Sequence, residues 1–313
     1  MPPPENAAAT PPVITQRGGS AGIGTWLRAL RWKQWTKNVL VFLPLLFSHQ
    51  WTQPALFGRA VLAFAVFCAG ASAIYLVNDI MDVAADREHP EKKHRPLAAG
   101  LVSRQACWAM SALLVVAGTG AALALLPRQF FAVYLIYGVA TTAYSAGLKK
   151  VVMLDALMLA GFYTLRIFAG SLATQTPVSK WLLLFSMFFF LGLAFQKRLA
   201  ELRGWECDES PLHRRGYVKG DLDHILSMGT SASYMAVLVL ALYIQSPDVT
   251  AHYSRPGVLW WTLPCLLYWL SRLWLLAGRQ EVSEDAIDFA IKDRISYAVA
   301  AAVVIIMLLA RPI

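Results

Sequence analysis

Residues Val61–Asp86 read VLAFAVFCAGASAIYLVNDIMDVAAD. The stretch carries no charge from Val61 to Asn78 and then places three aspartates, Asp79, Asp82 and Asp86, within eight residues. With its N-terminal flank from Leu56 the run has the length that crosses a bilayer, about 20 residues. The rest of the chain repeats the pattern. Of its 313 residues, 57% are hydrophobic and 15% charged, and the mean hydropathy is +0.50. No soluble domain of this size buries so much hydrocarbon. Apolar runs at Lys37–Ser48, Leu56–Asn78, Ala106–Leu126, Phe130–Leu148, Leu154–Ala173, Trp181–Phe195, Ile225–Ile244, Leu259–Leu276 and Ile295–Ala310 give an all-α, polytopic membrane protein. The expectation is nine transmembrane helices. The first and sixth runs are short, and their flanks Trp26–Thr36 and Gln196–Leu202 can extend them. Residues 1–24, rich in Pro, Ala, Thr and Gly, read as a disordered tail, and 25–313 as the membrane domain.

The formal charge of +9 is unevenly placed. Lys and Arg favour the loops that hold Arg28–Lys37, Arg87–Arg104, Lys149–Lys150, Lys197–Lys219 and Arg279–Arg294 by roughly four to one over the opposite side. The positive-inside rule puts that side, and the N-terminus, in the cytoplasm of a bacterial inner membrane. No nucleic-acid-binding module accompanies the charge. The four cysteines, Cys68, Cys107, Cys207 and Cys265, lack ligand spacing and read as small buried hydrophobes.

Two cytoplasmic connections, Ile80–Ser103 and Gln196–Asp223, are long and charged. If the second helix continues into the first of them, Asn78, Asp82 and Asp86 stand at i, i+4 and i+8, within about 80° of one face. Asp79 then points elsewhere. Carboxylates stacked this way repel unless a cation joins them, and an oxygen-only donor set favours Mg²⁺ bridged to a substrate's phosphates. Asp82 and Asp86 are accordingly the expected catalytic pair. Lys92, Lys93 and Arg95 follow as donors to the remaining phosphate oxygens, and Pro90 and Pro96 limit the helix. A solvated loop with local pairs such as Asp86 with Lys93 is the plainer alternative.

In the second connection Lys197 and Arg198 read as anion clamps, with Glu201 either positioning one of them or meeting a sugar hydroxyl. An ordinary i, i+4 pair of Lys197 with Glu201 is the alternative. Asp223 is a candidate for a second metal or for ribose. Arg166 falls inside an apolar run, where a charge is a functional candidate by default. It could meet an anionic lipid phosphate with Asp155, about 16 Å away along the axis, at the mouth, or be satisfied by helix carbonyls or Tyr163. Lys37, in RWKQWTKN, sits where an interfacial segment enters the core and can reach a phosphate. Small residues including Gly118, Gly120, Gly161 and Gly170 allow close packing within one chain or in a homo-oligomer.

The N-x-x-x-D-x-x-x-D of Asn78, Asp82 and Asp86 resembles the first aspartate motif of the UbiA superfamily of intramembrane prenyltransferases. Trp35–Ser48, Asn78–Gly100 and Tyr144–Asp155 running into Leu165–Gly170 resemble its decaprenyl-phosphate phosphoribosyltransferase branch. The likeness runs from about Arg31 to the C-terminus. It implies helices around a lipid-accessible cavity, and adds Tyr144 and Lys149 to the residues that meet the donor. Members that move a prenyl group carry a second aspartate motif after the sixth helix, where this chain has Lys197, Arg198 and Glu201. That departure fits the phosphoribosyl branch, whose resemblance implies 5-phosphoribosyl 1-diphosphate as donor, a decaprenyl-like polyprenyl phosphate as acceptor, Mg²⁺ as cofactor and a cell-envelope glycan precursor, such as one for arabinan, as destination. An aromatic polyprenyltransferase and a non-catalytic lipid carrier are the rival readings.

Overall fold

The structure is a computed structural model that describes residues 22–48, 50–204, 216–247, 249, 253–282 and 286–310. Most of the tail expected at residues 1–24 lies outside them, and Ile23 already opens a helix. Among the described residues there is no β-strand. Five segments are long and apolar enough to cross a membrane: α3 (Pro54–Met81), α5 (Arg104–Leu125), α7 (Leu154–Thr174), α8 (Lys180–Arg203) and Lys219–Ile244, which contains α9 (Leu222–Ile244). A sixth is formed if α11 (Ala286–Lys292) and α12 (Arg294–Ala310), bent by 86°, count as one. These make an integral membrane protein.

The expected count of nine differs from this for physical reasons. The run Lys37–Ser48 folds as a 3₁₀ segment, Trp32–Phe42, and one short helix, α2 (Leu43–Phe47). α10 (Thr262–Gly278) has 17 residues, about 25 Å at 1.5 Å per residue, short of a hydrocarbon core. α6 (Arg128–Ala146) has 19 residues, but Tyr134, Tyr137, Thr141, Thr142 and Tyr144 dilute its apolar character.

Two compact units share the chain: Met1–Lys33 with Ser72–Leu114, and Gln34–Ala71 with Val115–Ile313. In the smaller, α1 (Ile23–Ala29), the end of α3, α4 (Val83–Glu88) and the start of α5 enclose Ala29, Leu76, Ile80, Leu97, Val102 and Cys107. Ser72 donates to the Leu30 carbonyl (2.8 Å) and Ser111 to that of Ala73 (3.2 Å), so polar groups between these segments are paired. α3 stops at Met81, and Asp82 takes φ −94°, ψ 5° before α4 begins. Pro90 then ends the helical path.

In the larger unit α7 and α8 lie against each other, with α9 and α10 on α8, around Ile167, Phe190, Leu193, Leu199, Ile225 and Trp274. A second core, with Phe67, Phe130, Tyr134, Tyr137 and Phe162, joins α3, α6 and α7. Gly170 on α7 packs on the backbone of Val41, and a Cβ there would collide with the Val41 carbonyl oxygen. The bend between α11 and α12 has its own cause. Asp293, between them, accepts both forks of Arg272 (2.8 and 3.0 Å) and caps α12 through the Ser296 N–H and hydroxyl, each at 2.8 Å.

Gly170→Ala should therefore lose about 1–3 kcal/mol to overpacking and lower the thermal midpoint of the purified protein in detergent. Gly120→Ala, with nothing within 4 Å of the new Cβ, is the control. Equal midpoints for the two variants would contradict the Gly170 contact.

Candidate functional site

The acidic residues are placed by the end of α3. Asp82 N–H donates to the Asn78 carbonyl (2.9 Å) and Asp86 N–H to that of Asp82 (2.8 Å), so a helical path persists through the break at Asp82. Asp79 and Asp86 are buried, and Arg95 Nη1 donates to both, at 3.1 and 2.6 Å. Arg31 pairs with the same oxygen of Asp79 while its guanidinium covers the Tyr75 ring at 4.7 Å. Asp79, which the sequence reading turned away from the others, is thus part of the group. Its sign was available: Asp79 and Asp86 are seven residues apart, about 20° on a helix.

Asn78, Asp79, Asp82 and Asp86 offer oxygen donors alone, the set that suits a hard divalent cation. That chemistry fits Mg²⁺, although among the described residues no three His, Cys, Asp or Glu side chains are gathered as a metal cluster. Arg31 and Arg95 balance the buried charge. Both are about one quarter exposed, 27% and 28%, whereas Asp86 keeps only 2%. Lys92 and Lys93 lie on a 3₁₀ turn, Lys92–His94, the first half-buried and the second exposed.

In the larger unit, the last turns of α8 carry Lys197, Arg198 and Glu201. Lys197 is half-buried, but Arg198 is 1% exposed. Its Nε lies 2.6 Å from Asp155 Oδ2, and its Nη1 donates to Glu201. Arg198, expected as an anion clamp, is instead closed in by two carboxylates, and Asp155, expected at the mouth of a cavity, has no exposed surface. Removing one member of such a pair costs about 3–5 kcal/mol because the other charge is stranded. The second oxygen of Asp155 accepts from the Tyr217 hydroxyl at 2.6 Å. Burial, with help from Asp155, pushes the Tyr217 phenol above its ordinary range. A raised acid pKa keeps the proton on, so Tyr217 stays a neutral donor through the alkaline range in which a free phenol begins to ionise.

The loop before α7 belongs to the same group. Lys149, half-buried, lies on a 3₁₀ turn, Leu148–Lys150, and Tyr144 sets its ring edge on Phe162 at 5.7 Å. Asp223 is exposed in the first turn of α9, where a carboxylate favours the helix end.

Arg166 is buried on α7, and three of its nitrogens are used. Nε donates to Asn38 Oδ1 (2.8 Å), Nη1 to the Phe162 carbonyl (2.8 Å) and Nη2 to the Tyr137 hydroxyl (2.7 Å). The guanidinium also lies over the Tyr137 and Tyr163 rings, at 4.9 and 5.6 Å. The alternative of internal satisfaction therefore describes Arg166 better than the lipid-phosphate role. Asn38 Nδ2 donates in turn to Cys68 Sγ (3.3 Å). Lys37, one residue before Asn38, and Lys197 line a small cavity of about 50 Å³ with Tyr163, Leu159, Leu193 and Ile287. Asn38 and Tyr137 had no assigned role from sequence, because nothing in their spacing announces that they meet Arg166.

The chain is similar to several known proteins. It is 35% identical over 278 residues to an uncharacterized protein, y4nM, of Sinorhizobium fredii, covering 88% of this chain but only 54% of that longer protein. It is 31% identical over 290 residues to a decaprenyl-phosphate phosphoribosyltransferase of Mycobacterium tuberculosis, covering 90% of this chain and 92% of the relative. A UbiA homolog from Archaeoglobus fulgidus, solved with GPP and Mg²⁺, shares the fold with a TM-score of 0.66 at 19% identity, over 90% of this chain and 99% of that one. The family model for UbiA prenyltransferases matches residues 39–292. With most of its length matched in this way, the chain belongs to the UbiA prenyltransferase family.

Proposed function

We propose that the protein transfers a 5-phosphoribosyl group from 5-phosphoribosyl 1-diphosphate to a decaprenyl-like polyprenyl phosphate, with release of diphosphate, at the cytoplasmic face of a bacterial inner membrane. The product would serve as a cell-envelope glycan precursor. The feature that carries this reading is the end of α8, where Lys197, Arg198 and Glu201 stand, by the resemblance, where prenyl-transferring members have a second aspartate motif. Support comes also from the name and 31% identity of the mycobacterial relative. The same reading takes α6, α10 and the segment Trp32–Phe47 as further membrane crossings, nine in all, with the N-terminus inside.

Asn78, Asp82 and Asp86, with Asp79 beside them, are the residues that would hold Mg²⁺. When bound, the cation supplies charge neutralisation for the diphosphate leaving group. Arg95, already turned on Asp79 and Asp86, has a fork geometry suited to phosphate as well as carboxylate. Lys92 and Lys93 add cationic donors for the phosphate charge the metal leaves, and Lys149, on the larger unit, is a further proposed donor contact. As the bond from the anomeric carbon to the diphosphate oxygen lengthens, the sugar gains oxocarbenium character. An oxygen of the lipid phosphate, an anion at neutral pH, then forms the new bond to that carbon, so no strong general base is required.

For the lipid phosphate, the small cavity is a better seat than Arg166. Two ammonium groups, on Lys37 and Lys197, border apolar walls from Leu159, Leu193 and Ile287, which matches an amphiphile with an anionic head. Arg166 and Asp155 serve as scaffolding for these neighbours.

Membranes containing the protein, supplied separately with radiolabelled 5-phosphoribosyl 1-diphosphate and radiolabelled prenyl diphosphate, should place label in lipid from the first alone. Label from prenyl diphosphate would make the protein an aromatic polyprenyltransferase, and label from neither would favour a carrier. Chelation of divalent cations should abolish transfer. Asp82→Asn and Asp86→Asn should each lower kcat about 100-fold or more, the scale on which loss of one charge-stabilising group is felt. Full Mg²⁺-dependent transfer by Asp82→Asn would overturn the assignment.

A further inference from the structure

The buried group at the end of α8 holds more polar side chains than cohesion needs. Asp155 and Tyr217 have no exposed surface and Arg198 has 1%. Apolar side chains of similar volume would pack there at least as stably, since a buried ion pair seldom repays its desolvation. What a polar network supplies is direction. Asp155 Oδ1 accepts from the Tyr217 hydroxyl at 2.6 Å, and Oδ2 forms an ion pair with Arg198 Nε at 2.6 Å without hydrogen-bond geometry. Arg198 Nη1 donates onward to Glu201, whose side chain is 14% exposed. The network thus runs from a buried phenol to a carboxylate that reaches the surface.

Tyr217 also fixes the backbone that carries Asp155. Its oxygen accepts the Met153 N–H at 3.0 Å, and Met153 holds φ +67°, a left-handed conformation that a non-glycine residue adopts only where its surroundings impose it. Gly216, at φ +74°, lets the chain sit against the same loop. A Cβ there would lie 2.8 Å from the Lys150 carbonyl oxygen. Segment, loop and helix are joined at a single hydroxyl.

We propose that Tyr217 is a positioning residue, acting through Asp155 and Arg198 to hold Glu201 for the sugar hydroxyls of the donor. The inference rests on the phosphoribosyl-transfer reading above. A carboxylate repels phosphate oxygens and accepts from hydroxyl groups. Set one turn from Lys197, Glu201 therefore separates the part of a ligand that brings hydroxyls from the part that brings phosphates. A prenyl diphosphate has no hydroxyl to offer it.

The test uses the full chain in phospholipid nanodiscs, with 5-phosphoribosyl 1-diphosphate and a polyprenyl phosphate as substrates. Tyr217→Phe keeps the ring and removes the hydroxyl. It should raise the donor KM about tenfold with kcat within about twofold, the size expected for one buried hydrogen bond to a charged group. Glu201→Gln should do the same, and the double variant should be no worse than Glu201→Gln alone, since both interrupt one path. Amide exchange across 150–157 and 198–203 should quicken in Tyr217→Phe. A purely structural tyrosine would lower thermal stability and leave KM unchanged, and that result, or additive effects of the two substitutions, overturns the proposal. Should wild-type protein fail to transfer ribose phosphate, the functional reading falls. The positioning path is then judged on exchange alone, and unchanged exchange at 198–203 in Tyr217→Phe rejects it.

Discussion

A guanidinium buried to 1% exposure between Asp155 and Glu201 sets the terms for the larger unit. In an apolar bundle a charge is tolerated only with a partner of opposite sign. Arg198 imposes that demand on its neighbours. It fixes the rotation of α8, because the residue that meets Asp155 must face α7. It fixes the start of α7, because Asp155 must face back. Through the Tyr217 hydroxyl it also fixes the approach to α9. Arg166 repeats the principle: Asn38, Tyr137 and the Phe162 carbonyl satisfy it, drawing the 3₁₀ segment, α6 and α7 together.

Much of this was legible in the residues, unevenly. The apolar runs placed α3, α5, α7, α8 and α9 because a span-length stretch without charge has few other solutions. The run at Lys37–Ser48 left its helix type open. Hydropathy reports preference for hydrocarbon and not helix type, and Trp32–Phe42 meets that preference as a 3₁₀ segment. The acidic spacing singled out Asn78, Asp82 and Asp86 and left aside Asp79, which Arg95 joins to Asp86. Counting fours from Asn78 assumed an unbroken helix, while the break at Asp82 and the sevenfold interval from Asp79 to Asp86 are what Arg95 reads. Arg166 was visible as a charge in apolar surroundings, with helix carbonyls and Tyr163 as its near partners, and Glu201 was named beside Lys197 and Arg198. The distant contacts were not legible, since Tyr217 lies 62 residues from Asp155 and Asn38 lies 128 from Arg166.

The difference between the arginines lies in water. Arg31 and Arg95 hold buried aspartates while keeping 27% and 28% of their own side chains exposed. When such a guanidinium lets go, solvent takes over its own hydrogen bonds, although the buried aspartate it leaves loses its partner. Arg198 has no such recourse. Letting go would strand a charge in hydrocarbon, at about 3–5 kcal/mol. The first kind of pair leaves its guanidinium open to solvent on one side. The second is permanent and suited to holding geometry. The division separates the arginines that hold the aspartates of the smaller unit from the one that holds the end of α8. It also explains why exposure, and not charge alone, separates Lys197, which borders a cavity, from the arginine beside it.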